Sequence, residues 1–567
     1  MSTYHASGRT LVDLLEGAVA RYGERTALRM QREDGTQQAW SYRELDRRSR
    51  LAAWRLRARG VEPGERLLTW APSSPALAAV YFGAMRAAAV LVPLDLQMAP
   101  DPARKVAARS GARQLVLGTG HEVPDPAEYD LDHLRSTTTD DLVADPGPDF
   151  PADWEEQLGA WVRPTPDDLY QLVYTSGTTG VPKGVVLTHG NTISGIDAFH
   201  TIVPDIEYRV VSLLPLSHVF EQAIGLYLTL DLGADILYVR SRNPRILVEA
   251  IHAHRTTAMI VVPRILDLIW TALEREAEKK GRLGLFRRLR AVARRLPMGA
   301  RRLMFRRSIH ARFGGGLRLF VSAGAYLPPA IQQGWEDIGV VIMQGYGATE
   351  TGSGTCTTWT EHPTGTVGRV VPGLEMRIAE DGEVLFRGPC VTSGYWQDPG
   401  ATATAFTADG FYRSGDLGQL DEKGRLVLHG RKKDMIVLPN GLNIFPEDIE
   451  NALYVAGIRD TVVLETEPGR IEVVVLAPAT LERVPEDGPV SRPEGAFTAG
   501  PELDRVRAEI NAAVKAANAT LAVHSRIKAW RFWPDADFPR THTLKIKRDQ
   551  VRAWAAVAGP LPVTEGP

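Results

Sequence analysis

The sequence predicts an α/β protein: a large N-terminal domain of layered sheets and helices with a β-rich subdomain, then a small C-terminal α+β domain beyond a hinge. Three observations predict it. From Thr10 onward, helical patterns alternate with short apolar runs, the sign of sheets with helices on their faces. Beyond His362 the texture changes to short strands and turns. After the charged turn GRKKD at 430–434, a second and smaller alternation of helices and strands begins. A chain of 567 residues is too long for one hydrophobic core. The large domain is therefore placed at 1–431, the small mobile one at 434–567, and the hinge at 431–434.

In order, helices are expected over TLVDLLEGAVARYG and YRELDRRSRLAAWRLRARG, with short strands in ERLLTWAPSS, VLVPLD and QLVLGT. The most apolar window, 75–94, holds Arg86 in its middle and stops at Pro93. It reads as an alanine-rich helix followed by a buried strand rather than as a membrane span. Residues 121–168, acidic and rich in proline and threonine, read as a surface excursion. Strands at VVSLLPL and ADILYVR, helices near 244–255 and 264–278, and strands at LRLFVSAG and VVIMQGYG continue the rhythm. GEVLFRGPCV, GFYRSGDLG and GRLVLHGR supply the β-rich part. The small domain offers a helix at PEDIENALY, strands at TVVLETE, IEVVVLA and IKAWRFW, and a helix over 501–519. PATLERVPEDGPVSRPEGAFTAGPE reads as a long flexible loop within it.

Apolar and charged fractions of 44% and 24% are those of an ordinary globular chain. A net charge of −2 gives no global pull toward nucleic acid or anionic membrane, so either contact needs a local patch. Cys356 and Cys390 are too few for a disulfide framework, and MSTYHASGRT lacks the charged-then-apolar pattern of a secretory signal. Both features point to the cytoplasm. One local patch exists: 279–312 holds thirteen Lys or Arg and no acid. Leu283, Phe286, Leu289, Val292 and Leu296 recur there at helical spacing, leaving Arg287, Arg288, Arg294 and Arg295 largely on other faces. Two readings compete: a basic amphipathic surface that rests on anionic lipid, or a solvated helix pair whose arginines meet the protein's acidic excursions. No interleaved aromatic platform accompanies the charge, which argues against nucleic acid.

The stretch YTSGTTGVPKG, 174–184, lies between the apolar runs YQLVY and VVLTH and reads as a turn between two strands. Glycines 177, 180 and 184 permit tight backbone, and Thr175, Ser176, Thr178 and Thr179 supply hydroxyl donors, a composition that wraps oxyanions. The phosphate loop of nucleotide hydrolases needs Gly-Lys-Ser/Thr, whereas Pro182 precedes Lys183 and Gly184 follows it here.

With that turn, the segments LPLSHVFEQ, LFVSAGAYL, QGYGATETG, YRSGDLG, GRKKDMIVLPNGLNIFPEDIE and FPRTHTLKIKR stand in an order that resembles adenylate-forming enzymes, above all their acyl-CoA synthetases of the medium- and long-chain fatty acid branch. The resemblance spans about residues 10–550. It implies that Thr175, Ser176, Gly177, Thr178, Thr179, Gly180 and Lys183 hold the β and γ phosphates of ATP. It implies also that Glu350 holds Mg²⁺ and that Thr349 contacts phosphate. Tyr346 would lie on one face of adenine, with Gly324, Ala325 and Tyr326 along the other side, and Gly347 would belong to the same nucleotide site. Asp416 would accept the ribose hydroxyls and Arg431 would meet the same sugar. His218 matches a position bordering the reacting end of the acid.

Lys545 matches the catalytic lysine, a cation that relieves repulsion between a carboxylate and the α-phosphate. Leu544 stands where many members have glycine. Lys433 aligns with the pivot and Gly441 with the strand that guides pantetheine after rotation. The implied reaction joins a carboxylic acid to AMP, releasing pyrophosphate, and passes the acyl group to coenzyme A. Rival readings are an aromatic or specialised acid, a carrier protein or amine as acceptor, and a nucleotide- or lipid-binding sensor without catalysis.

Overall fold

A computed structural model describes residues 8–31, 36–176, 181–241, 243–438, 442–478, 480–481, 497–541 and 544–558. Most of the loop read in 478–502 lies outside the described residues, as do Gly177, Thr178, Thr179, Gly180 and Gly441.

Two broad sheets make the large domain. In the first, Arg66–Trp70 lies between Gln114–Leu117 and Val90–Pro93, all parallel. Leu169–Ser176 joins Val90–Pro93, and Pro182–Thr188 closes that edge antiparallel. Helix Pro75–Arg86 packs beneath with every residue buried, and Ser74 Oγ caps it by accepting from Leu77 N–H at 3.1 Å. Arg86, the charge that spoke against a membrane span, is buried and paired with Glu16 at 2.8 Å and Asp46 at 2.5 Å. Among the described residues no helix is long and apolar enough to cross a membrane.

The reading of 121–168 as surface needs correcting. Arg135–Thr138 adds a parallel edge strand to this sheet, and Leu142 and Val143 are buried, because the short strand offers backbone pairing despite its polar side chains.

The second sheet runs Val341–Gly347, Leu319–Ser322, Ala258–Val261, Arg209–Ser212, Asp235–Tyr238 and Thr26–Gln31, parallel throughout, with antiparallel strands beyond at both ends. The carboxyl ends of such strands are where ligands bind in open α/β sheets. Ala258–Val261 and the hairpin Thr26–Gln31 with Gln37–Ser41 are strands that the pattern reading left unassigned. The expected β-rich part is a four-stranded antiparallel sheet: Glu375–Ile378, Glu383–Arg387, Tyr412–Leu420 and Leu426–Arg431.

After the short turn Lys432–Asp434 a smaller body has its own core, built from Ile436, Ile444, Ile449, Leu453, Val473 and Phe532 among others. Its sheet joins Thr461–Glu467, Arg470–Leu476 and Ala529–Trp533, flanked by helices Pro446–Val455 and Pro501–Thr520. The final helix, Arg548–Ala558, was not foreseen. The basic segment is two helices, Leu283–Ala293 and Met298–Met304, the helix pair of one of the two readings.

Candidate active site

Asp416 and Arg431 face each other across the paired strands Tyr412–Leu420 and Leu426–Arg431. Gly415, at φ +69°, bends the first strand just before the carboxylate, and Asp416 N–H donates to Ser414 Oγ at 3.0 Å. Arg431 Nε then lies 2.8 Å from one Asp416 oxygen, and the Tyr346 hydroxyl donates to the other at 2.6 Å. Tyr346 is the last residue but one of the strand Val341–Gly347, so it comes from the carboxyl end of the large sheet. Burial pushes the Asp416 carboxyl up, opposed by Arg431, the phenol and Lys545. These three partners favour the ionised form and work against the burial that disfavours it.

The same chain of contacts continues toward the hydroxyl and glycine turn. Glu350 is buried in the turn Thr349–Thr351 and accepts from the Tyr395 hydroxyl at 3.0 Å. Lys183 Nζ lies 5.2 Å from the Tyr395 ring centre, a cation–π distance. Lys183 stands opposite Thr175 in the antiparallel strand pair Leu169–Ser176 and Pro182–Thr188. Tyr412, buried beside Glu350, Tyr395 and Arg431, joins the two groups. A continuous band of charge and hydroxyl therefore runs from Lys183 to Arg431.

Lys545 reaches this band from the small domain. It keeps accessible surface while protein atoms crowd its ammonium, as expected of a side chain lining a cleft. Burial lowers its pKa and Arg431 lowers it further, with Asp416 opposing. Tyr326 behaves alike: it is 43% exposed, yet burial and the small-domain carboxylates Asp448, Glu447 and Glu450 push its hydroxyl well up. Gly324 beside it holds φ +87°, a left-handed backbone that a side chain would strain. Ala325 and Gly347 are exposed and Thr349 is half-buried.

His218 is half-buried and accepts at Nδ1 from Phe220 N–H at 3.3 Å, so its imidazole serves the start of the helix that follows. Lys433 sits in the turn between the bodies, 3.5 Å from Asp549.

The AMP-binding enzyme family matches residues 15–396, well over half of the chain. The chain belongs to that family. A long-chain-fatty-acid–CoA ligase, FadD15 of Mycobacterium bovis, is 31% identical over 552 residues, with 88% of each chain covered. A feruloyl-CoA synthase of an Amycolatopsis species is 29% identical over 472 residues, covering 79% of this chain and 86% of its own. Among solved structures, the anthranilate CoA ligase AuaEII in complex with anthranoyl-AMP superposes with a TM-score of 0.76 at 19% identity, covering 98% of this chain and 99% of its own. That last likeness shows the fold, with its large N-terminal and smaller C-terminal domains.

The protein is thus an AMP-forming acyl-CoA ligase, in a family that uses ATP and coenzyme A. For this AMP-binding enzyme, sequence reasoning missed Tyr395 and Tyr412, which knit the band together. Tyr395 carries no motif signal, and Tyr412, although it opens the segment YRSGDLG, reads alone as core packing. It also missed Glu221, buried in the π-helix Glu221–Leu228. Ser212 donates to one Glu221 oxygen, and the other has no hydrogen-bond partner among the described residues. Burial pushes this carboxyl up to about 8, against the serine bond.

Proposed function

We propose that this ligase activates a medium- or long-chain fatty acid in two steps separated by a turn of the small domain. The observation that carries the reading is Lys545, brought from the small domain to the Asp416–Arg431 pair. In the first step a carboxylate oxygen attacks the α-phosphorus of ATP and the bond to pyrophosphate breaks. Both reactants are anions, and the ammonium between them stabilises the charge that crowds together in the transition state. Asp416 accepts the ribose hydroxyls with Arg431 alongside, Tyr346 lies on one face of adenine with Gly347 in the same nucleotide site, and Gly324, Ala325 and Tyr326 line the other face. Thr349, Lys183 and the turn from Thr175 to Gly180 take the phosphates. His218 borders the reacting end of the acid.

Among the described residues no cluster of three or more ligating side chains exists, so a cation here would rest on Glu350 and on substrate oxygens. A buried carboxylate is the hard donor that magnesium prefers, and the ion when bound would neutralise phosphate charge. In the second step the coenzyme A sulfur attacks the acyl carbon and the bond to AMP breaks. The small domain, 434–567, turns about 431–434, withdrawing Lys545 and presenting the strand near Gly441. Lys433→Pro is expected to spare acid-dependent pyrophosphate exchange and to stall thioester formation; thioester output equal to wild type would reject the turn.

The acyl assignment draws on the FadD15 likeness, and an aromatic acid is the second reading, favoured by the feruloyl-CoA synthase likeness. A panel from acetate to palmitate with hydroxybenzoates and cinnamates, assayed for pyrophosphate with and without coenzyme A, separates them. The fatty acid reading requires activity rising with chain length and dependence of AMP release on coenzyme A.

The cytoplasm, at the face of an anionic membrane, is the proposed location. Leu285, Leu289 and Val292 are exposed on one basic helix, with Leu303 and Met304 exposed on the next. Arg287, Arg288, Arg295, Arg306 and Arg307 are exposed around them and have no ion pair among the described residues. Arg290 and Arg294, by contrast, bind Asp337, the last residue of helix Pro329–Asp337. Replacing Arg287, Arg288 and Arg295 by glutamine should weaken sedimentation with anionic vesicles, and unchanged sedimentation would return the patch to a solvated surface.

A further inference from the structure

Lys545 rides on a hairpin bridged at Arg540 and Ile546, where Thr541 N–H donates to Lys545 O at 2.8 Å and Lys545 N–H donates to Thr541 Oγ1 at 3.2 Å. Arg540 is the hub of that hairpin. Its Nη1 donates to Leu544 O at 3.2 Å, its Nε to Asp537 at 2.9 Å, and its Nη2 to Asp460 at 3.0 Å. Asp460 also receives Arg264 at 3.1 Å. Arg264 belongs to the large domain, on helix Pro263–Lys279, which carries Asp267 one turn along at 3.1 Å. Asp267 in turn accepts from the Tyr454 hydroxyl at 3.0 Å and from Arg459 at 3.2 Å, and Arg459 meets Glu274 at 3.1 Å.

One large-domain helix thus holds the small domain by alternating charges, and the far end of the series is the peptide group beside Lys545. Leu544 adds a second tie. Its side chain packs against the large-domain core while its backbone sits at φ +64°, a conformation costly for leucine. A strained residue persists only where its surroundings hold it, and here those surroundings belong to both domains.

These contacts suit one posture alone. A rotation that removes Lys545 from the Asp416–Arg431 pair carries Asp460, Arg459 and Tyr454 away from the helix Pro263–Lys279. Half-buried ion pairs are strong enough to bias such an equilibrium and weak enough to let go.

We propose that Arg264, Asp460 and Arg540 form a docking relay: positioning residues that hold Lys545 in place for adenylate formation and release it before the thiol step. The relay rests on the reading of Lys545 as the cation of the first step.

The test assays the full-length enzyme for each half separately, with Lys545→Ala alongside. Asp460→Asn keeps shape and removes charge, and should lower acid-dependent ATP–pyrophosphate exchange about tenfold. Thioester formation from supplied acyl-adenylate and coenzyme A should stay within about twofold of wild type, which also reports that the variant is folded. Arg264→Gln, on the large-domain side of the relay, should show the same one-sided loss, and Arg264→Lys should recover most of it. Equal losses in both halves would make these residues merely structural and overturn the relay. Unchanged exchange in Asp460→Asn and Arg264→Gln, with exchange abolished by Lys545→Ala, would overturn the relay and leave the lysine reading standing. Unchanged exchange in Lys545→Ala would overturn both.

Discussion

On one side of the cleft, Asp416 and Arg431 face each other from adjacent strands, and Tyr346 reaches them from the end of a parallel sheet. On the other, Lys545 sits on a hairpin steadied by side chains that cross a domain boundary. The first wall is fixed by backbone pairing and burial, the second by ion pairs that water can replace. In the proposed cycle the nucleotide is present in both half-reactions and needs a lasting seat, whereas the cation is needed in one and would obstruct the other.

Breaking the detachable wall should have the largest effect, and a lopsided one. Lys545→Ala is expected to lower adenylate formation by roughly 10²–10³-fold, the scale of losing one transition-state electrostatic contact, with little change in thioester formation from supplied acyl-adenylate. Pyrophosphate exchange and single-turnover thioester assays measure the two, and equal losses would erase the distinction between the walls.

Damage to the fixed wall should be smaller and shared. Tyr346→Phe removes one hydrogen bond to an ionised group, so KM for ATP and for supplied acyl-adenylate should both rise by about tenfold. A rise confined to ATP would mean that the seat does not serve both steps.

The smallest effect concerns stability. Glu221 has a carboxyl raised from 4.5 to about 8 by burial, so the folded protein keeps a proton there that the unfolded chain gives up. The folded state then binds more protons between those values, and stability falls as pH rises across that window. Glu221→Gln should flatten this fall and raise stability at pH 8 by about 1 kcal/mol, as read by denaturant unfolding at pH 5 and pH 8. A parallel fall in both proteins would exclude Glu221 as its source.

Sequence patterns revealed these two walls unequally. YTSGTTGVPKG showed its chemistry through composition, and the alternation of helices and strands was plain wherever apolar runs were long. Ala258–Val261 escaped because four apolar residues between two helices carry no period of their own. Contacts joining distant positions were equally invisible: Tyr346 to Asp416, Tyr395 to Glu350, Arg264 to Asp460. Only a folded chain brings such pairs together, and an arginine or tyrosine read singly has many ordinary uses. Leu544 was legible as a departure from glycine, but its positive φ and its packing across the boundary were not.

Arg431 is both the partner of Asp416 and the last residue of its strand before the turn between the bodies. In the proposed cycle, the return of the small domain would act directly on that counter-ion, so that release of spent AMP and the re-seating of Lys545 would be one mechanical event.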